Sequence, residues 1–219
     1  MEEKKEVPEE NLTEQNEEEN SSGSGKFLII AVIAIVGLTI LFFSIRYLYQ
    51  PKPIENNYEY NGFTFTKIEG YGVWFTEIQK QDKNFRVSMR YSPMEVEDIP
   101  IDRTAYQVIL NSNELYLTVP NNLSSIAVLA LAEVGRITGT QYGILDIPST
   151  GALTHSKGDE TPVKNCEDAV GGTGIILFNL GNYTRVYLEG KCVIVEGETD
   201  WDIVRAADRL TFGLLGIMD

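Results

Sequence analysis

The sequence predicts an α+β protein in which an N-terminal transmembrane helix precedes a mostly antiparallel sheet domain with two main helices packed on it. Residues 27–45 form a run of 19 residues without any charge. Several later segments alternate apolar and polar side chains, which is typical of strands with one buried face. Residues 123–137 and 200–215 are long enough, and apolar enough on one side, to form helices that cover such a sheet.

Residues 1–26 predict a disordered acidic tail, because they contain nine Glu and three Lys but almost no sizeable apolar side chains. The SSGSG stretch at the end of the tail is typical of a flexible hinge. We interpret the tail as a solvated segment. The alternative is an acidic tether for a basic cytosolic protein.

The apolar run 27–45 predicts one uncleaved anchor in the lipid bilayer, because a helix of this length is close to the hydrocarbon thickness of about 30 Å. Lys26 and Arg46 flank the run, and Tyr47 and Tyr49 follow it. These side chains suit the membrane interface. A buried soluble helix would carry a polar stripe, and a cleaved signal peptide would have a basic start and a small-residue cleavage site.

The flanking charges and the two cysteines favour opposite orientations of the chain in the membrane. Lys26 precedes the run, whereas Arg46 and Lys52 follow it, so the positive-inside rule slightly favours a cytoplasmic C-terminal domain. A disulfide between the two cysteines would instead require an oxidising compartment. We predict a cytoplasmic tail, a stiff linker over residues 46–57 and an extracytoplasmic domain over residues 58–219.

The first half of the domain predicts antiparallel strands. Asn61-Gly62 lies between alternating aromatic residues, which is a strong hairpin signal. Residues 73–78, 85–91 and 114–119 have strand composition, whereas residues 94–113 are ambiguous. The buried helix predicted over residues 123–137 would begin at Asn121 or Asn122 as its N-cap.

The second half predicts an exposed loop over residues 149–172, a buried central strand over 174–179, and strands over 184–188 and 192–195. Thr199 and Asp202 resemble a capping box for the helix over residues 200–215, and Gly216 would end that helix. An alternative division gives two subdomains, about 58–120 and 121–219.

The spacing of Cys166 and Cys192 fits no zinc signature, and the chain has one histidine. Two interpretations remain, which are a disulfide and a pair of buried reduced thiols. We favour the disulfide, because an anchor is consistent with export.

Charge and motifs argue against several functions. The net charge of −14, with both soluble parts acidic, disfavours nucleic acid and anionic lipid surfaces as partners. His155 lies in a turn-like loop without a GxSxG elbow, and no glycine-rich phosphate loop precedes a helix. The adjacent Ser156 and Lys157 need not face each other. We predict no cofactor.

Acidic residues at every second position are the one suggestive motif. Glu196, Glu198, Asp200 and Asp202 could place oxygens on one side of an extended loop for a calcium ion. Acids at the start of a helix also interact favourably with the helix dipole, and we prefer that interpretation.

Aromatic residues concentrate just after the linker, at Tyr58, Tyr60, Tyr71 and Trp74. We expect them to pack in the core of the sheet, because aromatic residues are common there. An exposed binding patch is the alternative.

The layout of tail, anchor and α+β domain resembles single-pass archaeal membrane proteins of unknown function. The segments Cys166-Glu167-Asp168-Ala169, GIILFNL, Cys192-Val193-Ile194-Val195 and AADRLTFGLLGIM carry the resemblance. It covers about the last quarter of the chain and implies no activity or site residues.

The sequence therefore predicts a membrane-tethered, extracytoplasmic binding or structural domain of the cell envelope. We expect it to be non-catalytic and to have a protein or envelope partner. The alternatives are an anchored hydrolase that uses carboxylates and a calcium-dependent, adhesion-like module.

Overall fold

A computed structural model describes residues 22–48, 55–68, 70–158 and 160–219. Helix α1, Ser22–Leu48, contains the apolar run and begins four residues before Lys26, inside the segment predicted as tail and hinge. Once a helix is nucleated by the apolar run, extending it by a turn adds one backbone hydrogen bond for each residue fixed. Tyr49 and most of the predicted tail and linker lie outside the described residues.

The first sheet is antiparallel, with the strand order β1-β2-β3-β4. Its strands are β1 Glu55–Tyr60, β2 Phe63–Ile68, β3 Trp74–Lys80 and β4 Lys83–Met89. Asn61 and Gly62 both have positive φ in the turn between β1 and β2, which confirms the predicted hairpin. Gln81 and Asp82 make a second two-residue turn with positive φ, between β3 and β4.

The second sheet has five strands in the order β6-β5-β7-β9-β8. Its strands are β5 Glu114–Val119, β6 Ser149–Leu153, β7 Thr173–Leu180, β8 Arg185–Glu189 and β9 Cys192–Gly197. β7 is central, as its continuous apolar sequence predicts. Neighbours among β6, β5, β7 and β9 pair in parallel, whereas β8 is antiparallel to β9.

The loop predicted over residues 149–172 is wrong at its start, because β6 occupies Ser149–Leu153. This strand contains the polar and small residues STGAL and lies at the edge of the sheet, where a strand needs little apolar surface. Later in the same segment, Cys166–Asp168 form one turn of 3-10 helix.

Helices α4, Ser125–Thr138, and α5, Asp200–Leu214, are the two main helices that the sequence predicts. Two shorter helices, α2 Pro93–Val96 and α3 Thr104–Leu110, occupy the ambiguous segment. The side chain of Ser124 caps α4 by accepting from Ile126 N at 3.2 Å, so the predicted caps Asn121 and Asn122 were wrong. Gly216, with φ of 72°, follows the end of α5 as predicted.

One continuous core joins the two sheets. The helices that pack with these sheets confirm the predicted α+β class. The core includes Leu117, Ile176 and Val193 on one face of the second sheet, together with buried side chains of α4 and α5. α5 also reaches the first sheet, where Phe212 meets Phe65 edge to face at 5.8 Å between ring centroids. Residues of both predicted subdomains contribute to this core.

Candidate functional site

The apolar helix α1 exposes nearly all its large side chains. From Leu28 to Leu48 its mean hydropathy is 3.0, and none of this span is buried. Thr39 donates its hydroxyl to the carbonyl of Ile35 at 2.7 Å, which satisfies the hydroxyl within the helix. Length and composition therefore make α1 a candidate membrane span or signal sequence.

Three of the four interface residues predicted around the span lie near the ends of α1, and the fourth, Tyr49, is outside the described residues. Lys26 is exposed, Arg46 lies in the last turn of α1, and Tyr47 is 79% exposed. Their placement at the helix ends fits cations and amphipathic rings at a membrane surface.

Cys166 and Cys192 form a disulfide, with a Cα–Cα distance of 5.1 Å. Cys192 is fully buried at the start of β9, on the face of the second sheet that is opposite α4 and α5. Cys166 packs there with Ala169 and Ile175, so the bond holds the 3-10 turn against the sheet. With a separation of 26 residues, chain entropy predicts a stabilisation of roughly 3.5 kcal/mol.

The four acidic residues proposed for calcium have other structural roles or face solvent. Glu196 is 6% exposed, accepts from Arg185 Nε at 2.7 Å, and also accepts from the backbone of Asn182. Asp202 accepts from Thr199 and pairs with Arg205 at the start of α5. Glu198 is exposed, and Asp200 is in the first turn of α5. In the parts of the chain that are described, no group of three or more His, Cys, Asp or Glu residues is arranged to hold a metal ion.

Arg185 has an extensive set of partners. Its guanidinium lies 4.3 Å from the ring centroid of Tyr187 and 5.0 Å from that of Tyr183. The hydrogen bond to Glu196 is the main cause that raises the pKa of Arg185. Arg185 and Arg205 line a polar cleft of about 590 Å³. Because both arginines are already paired with carboxylates, this cleft carries no free positive charge for an anion.

His155 lies exposed in the loop after β6. Its Nδ1 is 2.9 Å from Thr154 Oγ1. Ser156 accepts instead from the backbone of Gly158 at 3.1 Å, so its hydroxyl serves a local turn. The geometry brings these two side chains into no shared nucleophilic arrangement.

Most of the aromatic residues after the linker pack, as expected. Tyr58 stacks on Phe65 with 5.4 Å between ring centroids and meets Trp74 edge to face at 5.1 Å. The Trp74 indole donates to Glu95 at 3.2 Å, and Tyr60 donates to Glu97 at 3.3 Å. Tyr71 is the exception, because it is 69% exposed.

The sequence did not predict a pair of neighbouring carboxylates, of which Asp208 is buried and Glu133 is partly buried. Asp208 on α5 is 1% exposed, and its Oδ2 accepts from the backbone amides of Arg90 and Tyr91 at 3.0 and 2.8 Å. Glu133 on α4 pairs with the Arg90 side chain at 3.0 Å. The other oxygen of each carboxylate is buried without a hydrogen-bond partner.

Burial is the largest influence on both carboxylates. Desolvation raises the pKa of Asp208 well above its usual range, and the nearby charge of Glu133 raises it further. Desolvation also raises the pKa of Glu133, against the opposing effect of Arg90. Neither carboxylate lines any of the clefts described for this chain, so the pair joins α4 and α5 to the end of β4 rather than facing a substrate. The sequence signal that could have revealed this pair is an aspartate, Asp208, within the buried stripe of α5.

No family model, curated protein or solved structure matches the chain.

Proposed function

We propose that the chain is a membrane-tethered, extracytoplasmic binding or structural protein of the cell envelope, with no catalytic role. Helix α1 would anchor it in the bilayer, the acidic N-terminal segment would remain in the cytoplasm, and the domain from residue 58 onwards would lie outside. The observation that carries the proposal is the fully exposed apolar surface of α1. Removing such a surface from water is favourable by about 25 cal/mol per Å².

The disulfide supports the orientation, because disulfides persist in oxidising compartments and are rare in the cytosol. The bond between Cys166 and Cys192 is integrated into the fold, with Cys192 fully buried. We give this more weight than the flanking charges, of which one, Lys26, precedes the span and two, Arg46 and Lys52, follow it.

The arrangement of titratable groups supports a binding or structural role. Glu196 and Asp202 form ion pairs with arginines. Asp208 accepts backbone hydrogen bonds and lines none of the described clefts. A general acid or base must come within hydrogen-bond reach of a substrate. These carboxylates instead stabilise the domain that α1 would present at the membrane.

Membrane fractionation of cells that express the full chain tests the anchor. The wild type should sediment with membranes and resist extraction at alkaline pH. A variant with Val36→Arg and Ile40→Arg should be released, because each central arginine costs about 2.5–3.5 kcal/mol of insertion. The matched control, Leu28→Arg with Leu48→Arg, places the same charges at the span ends, where they can reach the interface. Equal retention of both variants would argue against a lipid-embedded α1.

Chemical crosslinking of the full chain in intact membranes tests the binding role. Discrete adducts of defined mass, formed by the wild type at low crosslinker concentration, are the expected result. Recovery of uncrosslinked chain alone across the crosslinker range would contradict a stable partner.

A further inference from the structure

The two hairpins of the first sheet are joined along only part of their length. The β1–β2 ladder has six residue pairs and the β3–β4 ladder has seven. The β2–β3 ladder has two, Thr66 with Phe75 and Lys67 with Trp74. Among the described residues, the ladder does not continue towards the two hairpin turns. The hairpins therefore leave a space between their facing strands, which we call the inter-hairpin cleft.

Strand pairing determines which backbone groups face this cleft. In a two-residue hairpin, the residues that flank the turn exchange both backbone hydrogen bonds, so Lys80 points its amide and carbonyl towards β4. Alternate residues point the other way, and the backbones of Glu77 and Gln79 therefore face β2. The same reasoning for the first hairpin directs the backbone of Thr64 towards β3. Continuing the ladder would pair Thr64 with Glu77, but that pair is absent from the described ladder.

The cleft has a volume of about 570 Å³, and its lining includes Thr64, Glu77 and Gln79. These three residues are exposed, and the described β2–β3 ladder gives their cleft-facing backbone groups no strand partner. Unpaired strand edges of this kind are templates for another extended chain.

A buried hydroxyl gives a second, independent observation. Thr76 also lines the cleft, is 3% exposed, and its Oγ1 has no hydrogen-bond partner. Burying a hydroxyl without a partner is unfavourable. Because Thr76 lies on the same inner face of β3 as Ile78, a small polar side chain that a ligand places on that face would satisfy it.

We propose that the inter-hairpin cleft binds an extended peptide segment of a partner protein, which adds to the first sheet as a strand along Glu77–Gln79. This assignment rests on the proposed binding function and specifies the chemistry of its partner. Backbone hydrogen bonds supply affinity in such strand addition, and alternate side chains supply specificity.

The side chains around the cleft define the segment further. On the outer face, Phe75 lies under the Arg86 guanidinium at 4.5 Å, beside Thr66. This surface favours β-branched or aromatic residues at alternate positions of the segment. On the inner face, Phe65 and Ile78 already belong to the packed core, which favours small residues there. Residues 47–219 hold 14 Lys and Arg against 23 Asp and Glu, a net charge of −9, so a neutral or basic segment is favoured.

A displayed library of random peptides of about twelve residues provides the probe, selected against the full chain in lipid nanodiscs. Selection should enrich peptides that alternate small residues with β-branched or aromatic ones. In hydrogen exchange, we expect the amides of Glu77 and Gln79 to exchange rapidly in the free chain and to be protected by the bound peptide. Peptides that leave both amides unprotected, or a selection that yields no binder, would overturn the assignment.

A pair of proline variants tests the same contact from the protein side. Gln79→Pro removes an amide that faces the cleft but leaves the β3–β4 ladder intact. The loss of one backbone hydrogen bond should weaken peptide binding about tenfold. Asn84→Pro is the matched control, because Asn84 pairs with Gln79 and its amide faces the opposite edge. Equal affinities of the two variants would contradict the assignment.

The exchange measurement on the wild type needs no variant, so it decides the question even when a proline variant fails to fold. Peptides that bind elsewhere on the domain would overturn the cleft assignment and leave the proposed binding function standing. Failure of the proposed function would appear instead in the fractionation and crosslinking experiments.

Discussion

Asp208 allows a prediction that separates its hydrogen bonds from its charge. Asp208→Ala removes the acceptor for the amides of Arg90 and Tyr91. A buried donor left without a partner costs about 1–3 kcal/mol, so two such donors give a loss of roughly 4 kcal/mol. Asp208→Asn keeps an acceptor oxygen for these amides. It also brings an amide donor near Glu133, whose Oε2 has no hydrogen-bond partner. We expect the Asn variant to be at least as stable as the wild type at pH 8.

The pH dependence follows from the raised pKa of Asp208. The folded chain holds a proton that the unfolded chain releases above pH about 4, so the wild type loses stability as pH rises from there to the folded-state pKa. Below that window the contribution is fully present. Asp208→Asn removes this titration and should reduce the slope of stability against pH.

Denaturant titration of the full chain in a nonionic detergent measures these effects. The chain has two tryptophans, Trp74 and Trp201, and both lie in the domain, so their fluorescence follows the unfolding of the domain. Asp98→Ala is a surface control, because the Asp98 side chain is 75% exposed and its ion pair should contribute at most about 1 kcal/mol. An Ala variant at position 208 as stable as this control, or an Asn variant with the wild-type pH slope, would refute the reasoning.

Three further predictions concern the disulfide, a close backbone contact and calcium. Reducing the bond between Cys166 and Cys192 should lower the free energy of unfolding by roughly 3.5 kcal/mol, measured by the same titration with and without reductant; an unchanged midpoint would contradict this. Gly197→Ala should lower the free energy of unfolding by more than about 2 kcal/mol, since its Cβ would lie 2.6 Å from the carbonyl carbon of Asp202. The control variant Gly151→Ala should fold normally, because the nearest atom to its Cβ would be 3.8 Å away. Calcium titration should release no heat and leave the melting temperature unchanged; a saturable heat would restore the calcium-dependent alternative.

Local signals in the sequence predicted several elements correctly. Asn61-Gly62 predicts its hairpin because both positions need positive φ. Thr199 predicts the start of α5, where its hydroxyl accepts from Asp202 N at 3.2 Å. The disulfide was one of two interpretations of Cys166 and Cys192, and it was favoured because an anchor is consistent with export. For the hairpin and the start of α5, the physical cause lies within a few residues of the motif.

Features that depend on distant pairing were not predicted. The parallel arrangement of β5 and β7 depends on how α4 and β6 return the chain, and no residue of either strand specifies it alone. The role of Asp208 was missed because its partner Tyr91 lies 117 residues away. The inter-hairpin cleft depends on where the β2–β3 ladder stops, which strand composition does not encode.

Labelling of single introduced cysteines in intact cells tests the central claim most directly, which is that α1 holds the domain outside the cytoplasm. No cysteine of the described chain is free, so the native pair should not react. Tyr71→Cys places a thiol at an exposed position of the domain, and Glu10→Cys places one in the acidic N-terminal segment. A membrane-impermeant maleimide should label Tyr71→Cys in intact cells and Glu10→Cys only after permeabilisation. The reverse pattern would contradict the proposed orientation.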